Sequence, residues 1–166
     1  MELVLMRHGQ AEESNSLRYP DDDLRPLTER GSALQEKVAR ALRLMGKVPE
    51  RIISSSRLRA RQTAEISAAI LRCSVEFNDC LGEHYSPNSV IALLANCPPR
   101  KTIMLVSHEP NISDLTTRLL VSDAYLNIQF RRGAVLGLYF RQMPDFGAGS
   151  LGFFYQPEDL ATLLGN

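Results

Sequence analysis

Short apolar runs alternate with stretches of helical periodicity along most of the chain. The first run, Leu3-Val4-Leu5-Met6, has the length and composition of a strand and follows polar Glu2. A polar loop from Gln10 to Pro26 comes next, of a length that marks a functional or a mobile segment. Thr28 then suits the N-cap of a helix whose apolar stripe is Leu34, Val38, Ala41, Leu42 and Met45, with Gly46 as its stop. Arg51-Ile52-Ile53-Ser54 reads as a second strand, and a helix from about Arg57 carries Ala60, Ala64, Ala68 and Leu71 on one face. Val75-Glu76-Phe77 is a third, weaker strand, and Pro87 to Ala95 a short helix. The run Thr102-Ile103-Met104-Leu105-Val106-Ser107 is almost wholly apolar, as expected of a central strand covered on both faces. Pro110 suits the first turn of a helix that continues through Ile112, Leu115, Leu119 and Leu120. Ala134 to Phe140 and Leu151 to Tyr155 read as the last two strands, before Pro157 opens a short helix with Glu158 and Asp159 at its positive end. This order predicts a three-layer α/β/α sandwich around a largely parallel central sheet.

Composition narrows the class. A chain of 166 residues with no repeat, linker or low-complexity tract is expected to form a single domain, residues 1–166. Its 19 basic and 19 acidic side chains cancel, so net charge gives no reason to expect a nucleic-acid or membrane partner. No apolar run approaches the roughly 18–20 residues that span a bilayer, and no basic segment leads into a secretory core. Cys73, Cys80 and Cys97 are odd in number and form no C-x-x-C pair, which fits free thiols in a reducing cytoplasm better than a disulfide framework or a zinc site.

The chemistry sits at three strand ends. Arg7-His8-Gly9 follows the first strand, Ser54-Ser55-Ser56-Arg57-Leu58-Arg59-Ala60 the second, and Ser107-His108-Glu109-Pro110 the central one. Ligands of open α/β sheets bind at that edge. Gly9 there lets the backbone turn close to a ligand. Two of the segments open helices, whose first N–H groups add partial positive charge. Arginine's planar fork suits phosphate oxygens. Together they describe a pocket for a tetrahedral dianion with two histidines in it.

These motifs, with Ser55-to-Thr63 and Arg25-Pro26-Leu27-Thr28-Glu29-Arg30-Gly31, resemble the histidine phosphatase superfamily, which includes the cofactor-dependent phosphoglycerate mutases. The short length and the Ser107-His108-Glu109-Pro110 turn look most like the small SixA-type phosphohistidine phosphatases. The resemblance implies a phosphoglycerate mutase-like fold and a phosphatase that works through a phospho-His8 intermediate. Arg7, Arg59 and His108 would hold the phosphoryl oxygens, with Gly9 at the phosphate. The superfamily's arginine precedes alanine, which selects Arg59 over Arg57 and Arg61. Neither cofactor nor metal is implied. The implied partner is a phosphorylated protein, a phosphotransfer domain in signal transduction.

Glu83 in Leu81-Gly82-Glu83-His84-Tyr85 leaves the substrate open. It lies where mutases and broad phosphatases of the superfamily place a proton-donating glutamate, which an alkoxide leaving group needs and an imidazole does not. The alternatives are therefore a small-molecule phosphomonoesterase using Glu83 as general acid, and a non-catalytic phosphate-binding module. A zinc hydrolase lacks a third ligand beside His8 and His108. His84 reads as an exposed loop residue, Asp21-Asp22-Asp23 as a solvated face, Arg57 and Arg61 as rim or surface charges, and Arg131-Arg132 as edge charges.

Overall fold

A computed structural model describes residues 1–164. Six strands, β1 (Glu2–Arg7), β2 (Arg51–Ser54), β3 (Ser74–Phe77), β4 (Thr102–Ser107), β5 (Val135–Tyr139) and β6 (Ser150–Tyr155), form one sheet. Five α-helices connect or follow them: α1 (Glu29–Leu44), α2 (Leu58–Leu71), α3 (Pro87–Ala95), α4 (Asn111–Val121) and α5 (Pro157–Thr162). The strand order is β3-β2-β4-β1-β5-β6. The first four run parallel, whereas β5 is antiparallel to β1 and β6 to β5.

Alternation along the strands divides the core into two layers. Leu3 and Leu5 of β1, with Ile103 and Leu105 of β4, pack against Val90 and Leu94 of α3 and Ile112, Leu115 and Leu119 of α4. Val4 and Met6, with Met104 and Val106, face the other way onto Val38, Ala41 and Leu42 of α1, Ala60, Ala64 and Leu71 of α2, and Leu160 of α5. A sheet covered on both faces makes the three-layer sandwich, with a phosphoglycerate mutase-like architecture. It also explains why β1 and β4 are continuously apolar: their central residues are essentially inaccessible.

Crossover direction fixes where a ligand would bind. The helix after β1 lies on one face and the helix after β4 on the other, although β1 and β4 are hydrogen-bonded neighbours. Their C-terminal ends therefore flank a crevice at a topological switch point.

The connection after β1 is ordered at its base. Ala11 bridges Leu27, and Thr28 caps α1 by accepting from Gly31 N–H at 2.9 Å. Gly31 is required by space: a Cβ there would lie 2.0 Å from the Gln10 carbonyl oxygen. Inside the loop, Asp21 caps a 3-10 helix over Asp22–Leu24, which the polar run did not announce. A second 3-10 helix, Asp79–Leu81, precedes Gly82 and Glu83.

Candidate active site

His8 leaves the end of β1 buried, only 6% exposed. Its backbone N–H donates to Ser107 O, and its carbonyl accepts from Gly133 N–H, so the turn is held from two sides. Gly9 N–H donates to Thr63 Oγ1, and that hydroxyl donates to the Arg59 carbonyl, tying the β1 turn to α2. A methyl group at Gly9 would make only ordinary contacts, so the protein interior itself does not demand glycine there.

The ring of His8 has one defined tautomer. Nδ1 lies 2.7 Å from the Gly9 carbonyl, an acceptor only, so the proton resides on Nδ1 and the lone pair on Nε2. Burial pushes the His8 pKa down to about 3, and the charges of Arg59, Arg7 and Arg132 push the same way. His8 is thus a neutral, oriented imidazole at neutral pH, the form a nucleophile needs.

Arg7, Arg59 and His108 are its polar neighbours. Arg7 donates from Nη1 to the Phe130 carbonyl at 2.6 Å, and its Nε is buried without a partner. Arg59, 4% exposed, donates from Nη1 to the Asp22 carbonyl at 2.7 Å, and its Nε is likewise buried and unpartnered. Burial lowers both pKa values, but a guanidinium stays charged. The ring of His108 lies 5.0 Å from that of His8, centroid to centroid. Its Nε2 is 2.8 Å from Ser55 Oγ, and its Nδ1 is buried without a partner. Burial, then the proximity of His8, lowers the His108 pKa even further than that of His8. The Ser55 oxygen also accepts from Arg57 N–H at 3.4 Å, so the hydroxyl ties His108 to the start of α2.

Buried orphan donors are costly and rare, and they cluster where a ligand completes them. Here three buried, unpartnered nitrogens belong to the neighbours of His8. The set supplies a nucleophile and a cationic, hydrogen-bonding cradle for a tetrahedral oxyanion.

The sequence motifs differ in how they reach this cluster. Glu83 is exposed on the turn after Gly82 and makes no ion pair or hydrogen bond among the described residues. Gly82 itself packs on the site: a Cβ there would lie 2.5 Å from Ser55 Oγ. His84 is exposed, as expected. The acidic run is exposed at Asp21 and Asp22, as its composition suggested, but it is also paired: Asp22 with Arg25 and Arg59, and Asp23 with Arg57 at 2.8 Å. Arg61 lies over the Phe77 ring on the surface.

Arg131 pairs with Glu158, and Arg131 and Arg132 precede β5, an interior strand between β1 and β6, so they are not edge charges. Sequence reasoning also passed over Glu109 and Phe130. Glu109 Oε1 accepts from Ser113 Oγ and Phe130 N–H, anchoring the residue whose carbonyl holds Arg7. A groove of about 440 Å³ opens beside these groups, lined by Arg7, Glu109, Tyr125 and Gln129 among others. Among the described residues, no three His, Cys, Asp or Glu side chains converge as metal ligands.

Comparison with known proteins agrees with this architecture. Residues 3–86 match the model of the histidine phosphatase superfamily, branch 1. An uncharacterized protein of Picosynechococcus is 31% identical over 141 residues, spanning 83% of this chain and 84% of that one. The structure of the protein histidine phosphatase SixA complexed with tungstate superposes with a TM-score of 0.79 at 25% identity, covering 96% of this chain and 99% of that one. A phosphoserine phosphatase from Entamoeba histolytica, in complex with phosphoserine, shares the fold at a TM-score of 0.69 and 18% identity, covering 95% of this chain and 98% of that one. The chain belongs to branch 1 of the histidine phosphatase superfamily and is SixA-like within it.

Proposed function

We propose that the protein is a phosphohistidine phosphatase that removes phosphate from a histidine of another protein, a phosphotransfer domain. The observation that carries the chemistry is the bare Nε2 of His8 beside the buried, unpartnered nitrogens of Arg7, Arg59 and His108. Nε2 attacks phosphorus as the substrate's N–P bond breaks, and the substrate ring, already protonated on its other nitrogen, departs as a neutral imidazole that needs no added proton. Water then attacks phospho-His8, releasing inorganic phosphate and restoring the neutral ring. Arg7 and Arg59 neutralise the equatorial oxygens, His108 holds them alongside, and Gly9 lets its backbone lie close to them. Tungstate in the SixA structure is a tetrahedral oxyanion of the same kind.

The choice of substrate rests on Glu83. It is exposed and makes no ion pair or hydrogen bond among the described residues, so nothing holds it in place to protonate an alkoxide, whereas an imidazole needs no such acid. The second reading, a small-molecule phosphomonoesterase with Glu83 as acid, draws on the position of Glu83 next to Gly82 and on the fold shared with the phosphoserine phosphatase. A purely phosphate-binding module is disfavoured because the nucleophile and both arginines are present and assembled. Three free cysteines support a reducing cytoplasm as its compartment.

The test is phosphate release from a phosphohistidine-bearing phosphotransfer domain beside p-nitrophenyl phosphate, for wild type and Glu83→Gln. The expected result is fast protein dephosphorylation, feeble ester hydrolysis and no more than about a twofold change in Glu83→Gln, since surface substitutions away from the chemistry have small effects. Ester activity that dominates and collapses in Glu83→Gln would instead establish the second reading. Cationic side chains neutralise the phosphoryl charge in this mechanism, so full activity is expected after dialysis against EDTA. Loss of activity restored by a divalent metal would refute that point.

A further inference from the structure

The acidic run on the loop after β1 has no part in the chemistry above, yet it holds the buried arginine of the site. Asp22 grips Arg59 twice: its carbonyl accepts from Nη1 at 2.7 Å, and its Oδ2 lies 3.1 Å from Nη2. Asp22 is itself clamped, because Arg25 Nε donates to its Oδ1 at 2.9 Å while Arg25 Nη1 donates to the Glu12 carbonyl at 2.6 Å. The Ala11–Leu27 bridge closes the base of the same loop. A guanidinium is a rigid plane, so fixing both terminal nitrogens on one residue fixes the direction of the remaining Nε–H. That Nε is the buried, unpartnered donor of Arg59.

We propose that Asp22 is a positioning residue of the phosphoryl site. It occupies the outer edge of Arg59 so that Nε–H, rather than the fork's two ends, meets the transferred phosphoryl group. Hydrogen bonding to Arg25 holds the Asp22 carboxyl below the usual carboxylate range, so the grip persists as an anion at neutral pH. The proposal rests on Arg59 being a phosphoryl-binding group.

A carboxylate next to a dianion site has two opposed effects. Its charge repels bound phosphate, while its grip preserves the orientation that the transition state needs. Replacing the carboxylate by an amide removes the repulsion and weakens the side-chain half of the grip while the backbone contact stays, so the two effects show as opposite changes: relief of repulsion tightens phosphate, and loss of orientation lowers kcat. A competing internal anion would produce a different pattern, because its removal would free Arg59 for both ground and transition states. A merely structural role would weaken every step together.

The experiment compares Asp22→Asn with wild type in the full chain, measuring kcat and KM on the phosphohistidine protein and on p-nitrophenyl phosphate. Inorganic phosphate and vanadate are titrated as inhibitors, and thermal midpoints are recorded. The expected result is a kcat lower by roughly tenfold, the cost of a slightly misplaced group, with KM and phosphate inhibition unchanged or tighter and vanadate weaker. Asp23→Asn, which touches only Arg57, is expected to match wild type. An unchanged or higher kcat with tighter phosphate would make Asp22 a competing anion and overturn the proposal. A higher KM, weaker phosphate and a lower midpoint together would reduce it to a structural residue. Arg59→Ala in the same phosphate titration tests the underlying reading separately: if phosphate inhibits that variant as well as wild type, Arg59 is not a phosphoryl ligand.

Discussion

His8→Ala is expected to lose turnover by a thousandfold or more while keeping its fold, the order of effect that follows removal of a covalent nucleophile. The hydrogen bonds that anchor the β1 turn come from the backbone of His8 and Gly9, and alanine retains them. Arg7, Arg59 and His108 remain in place, so vanadate should still bind. Circular dichroism would check the fold. A denaturing quench with labelled substrate would trap an acid-labile, base-stable phosphoenzyme in wild type and none in the variant. Substantial turnover by a folded His8→Ala protein would remove His8 from the mechanism.

The same substitution should also alter acid stability. The folded-state pKa of His8 is depressed to about 3, below its unfolded value near 6.5. Between those values the unfolded chain binds a proton that the native state does not. Native stability is then lost as pH falls from about 6.5 toward about 3. His108 contributes with the same sign. His8→Ala deletes one of these protons, so its unfolding midpoint should decline less steeply over that window than the wild-type midpoint does. Parallel curves would mean that His8 titrates normally in the folded protein.

Much of the scaffold was legible because local chemistry and tertiary packing agree. Thr28 and Gly46 punctuate α1 as their residue types suggest, with Gly46 in the left-handed region at φ +70°. The apolar run of β4 is buried for the reason its composition implied. Strand direction was less visible: Val135-Leu136-Gly137-Leu138 reads the same either way, and only pairing shows β5 running against β1. Inside α1 the periodic stripe included Leu34, yet Gln35 is the deeper residue, because Ser67 of α2 offers its amide a partner. The site divides along similar lines. The three strand ends announce residues that a sheet edge must bring together, and the structure assembles Arg7, His8, Arg59 and His108 there. The supports do not announce themselves. Asp22 meets Arg59 across 37 positions of sequence, and the Phe130 carbonyl meets Arg7 across 123. A backbone acceptor carries no sequence signal at all, and an acidic run looks the same whether water or an arginine takes it up.

Arg59→Ala carries the second large expectation, a loss of about a hundred- to a thousandfold in kcat/KM, the usual effect of removing one preorganised donor from a site of developing charge. The loss should arise from transition-state binding, because Arg59 offers a buried Nε–H directed by contacts already made, with no reorganisation left to do. Stability should fall less than for most buried charges. Asp22 keeps Arg25 as a partner when Arg59 is gone, so no carboxylate is stranded. Arg59→Lys separates charge from geometry: an ammonium restores a cation but cannot hold Asp22 at two points while presenting a third donor inward. It should therefore recover phosphate binding more than kcat. Arg57 is the internal control, since it lies two residues before the motif arginine at the N-cap of α2, is more exposed and pairs with Asp23. Arg57→Ala should change kcat/KM by only a small factor. Equal losses in the two alanine variants would show that positive charge at the start of α2, rather than the oriented Nε–H of Arg59, stabilises the phosphoryl group.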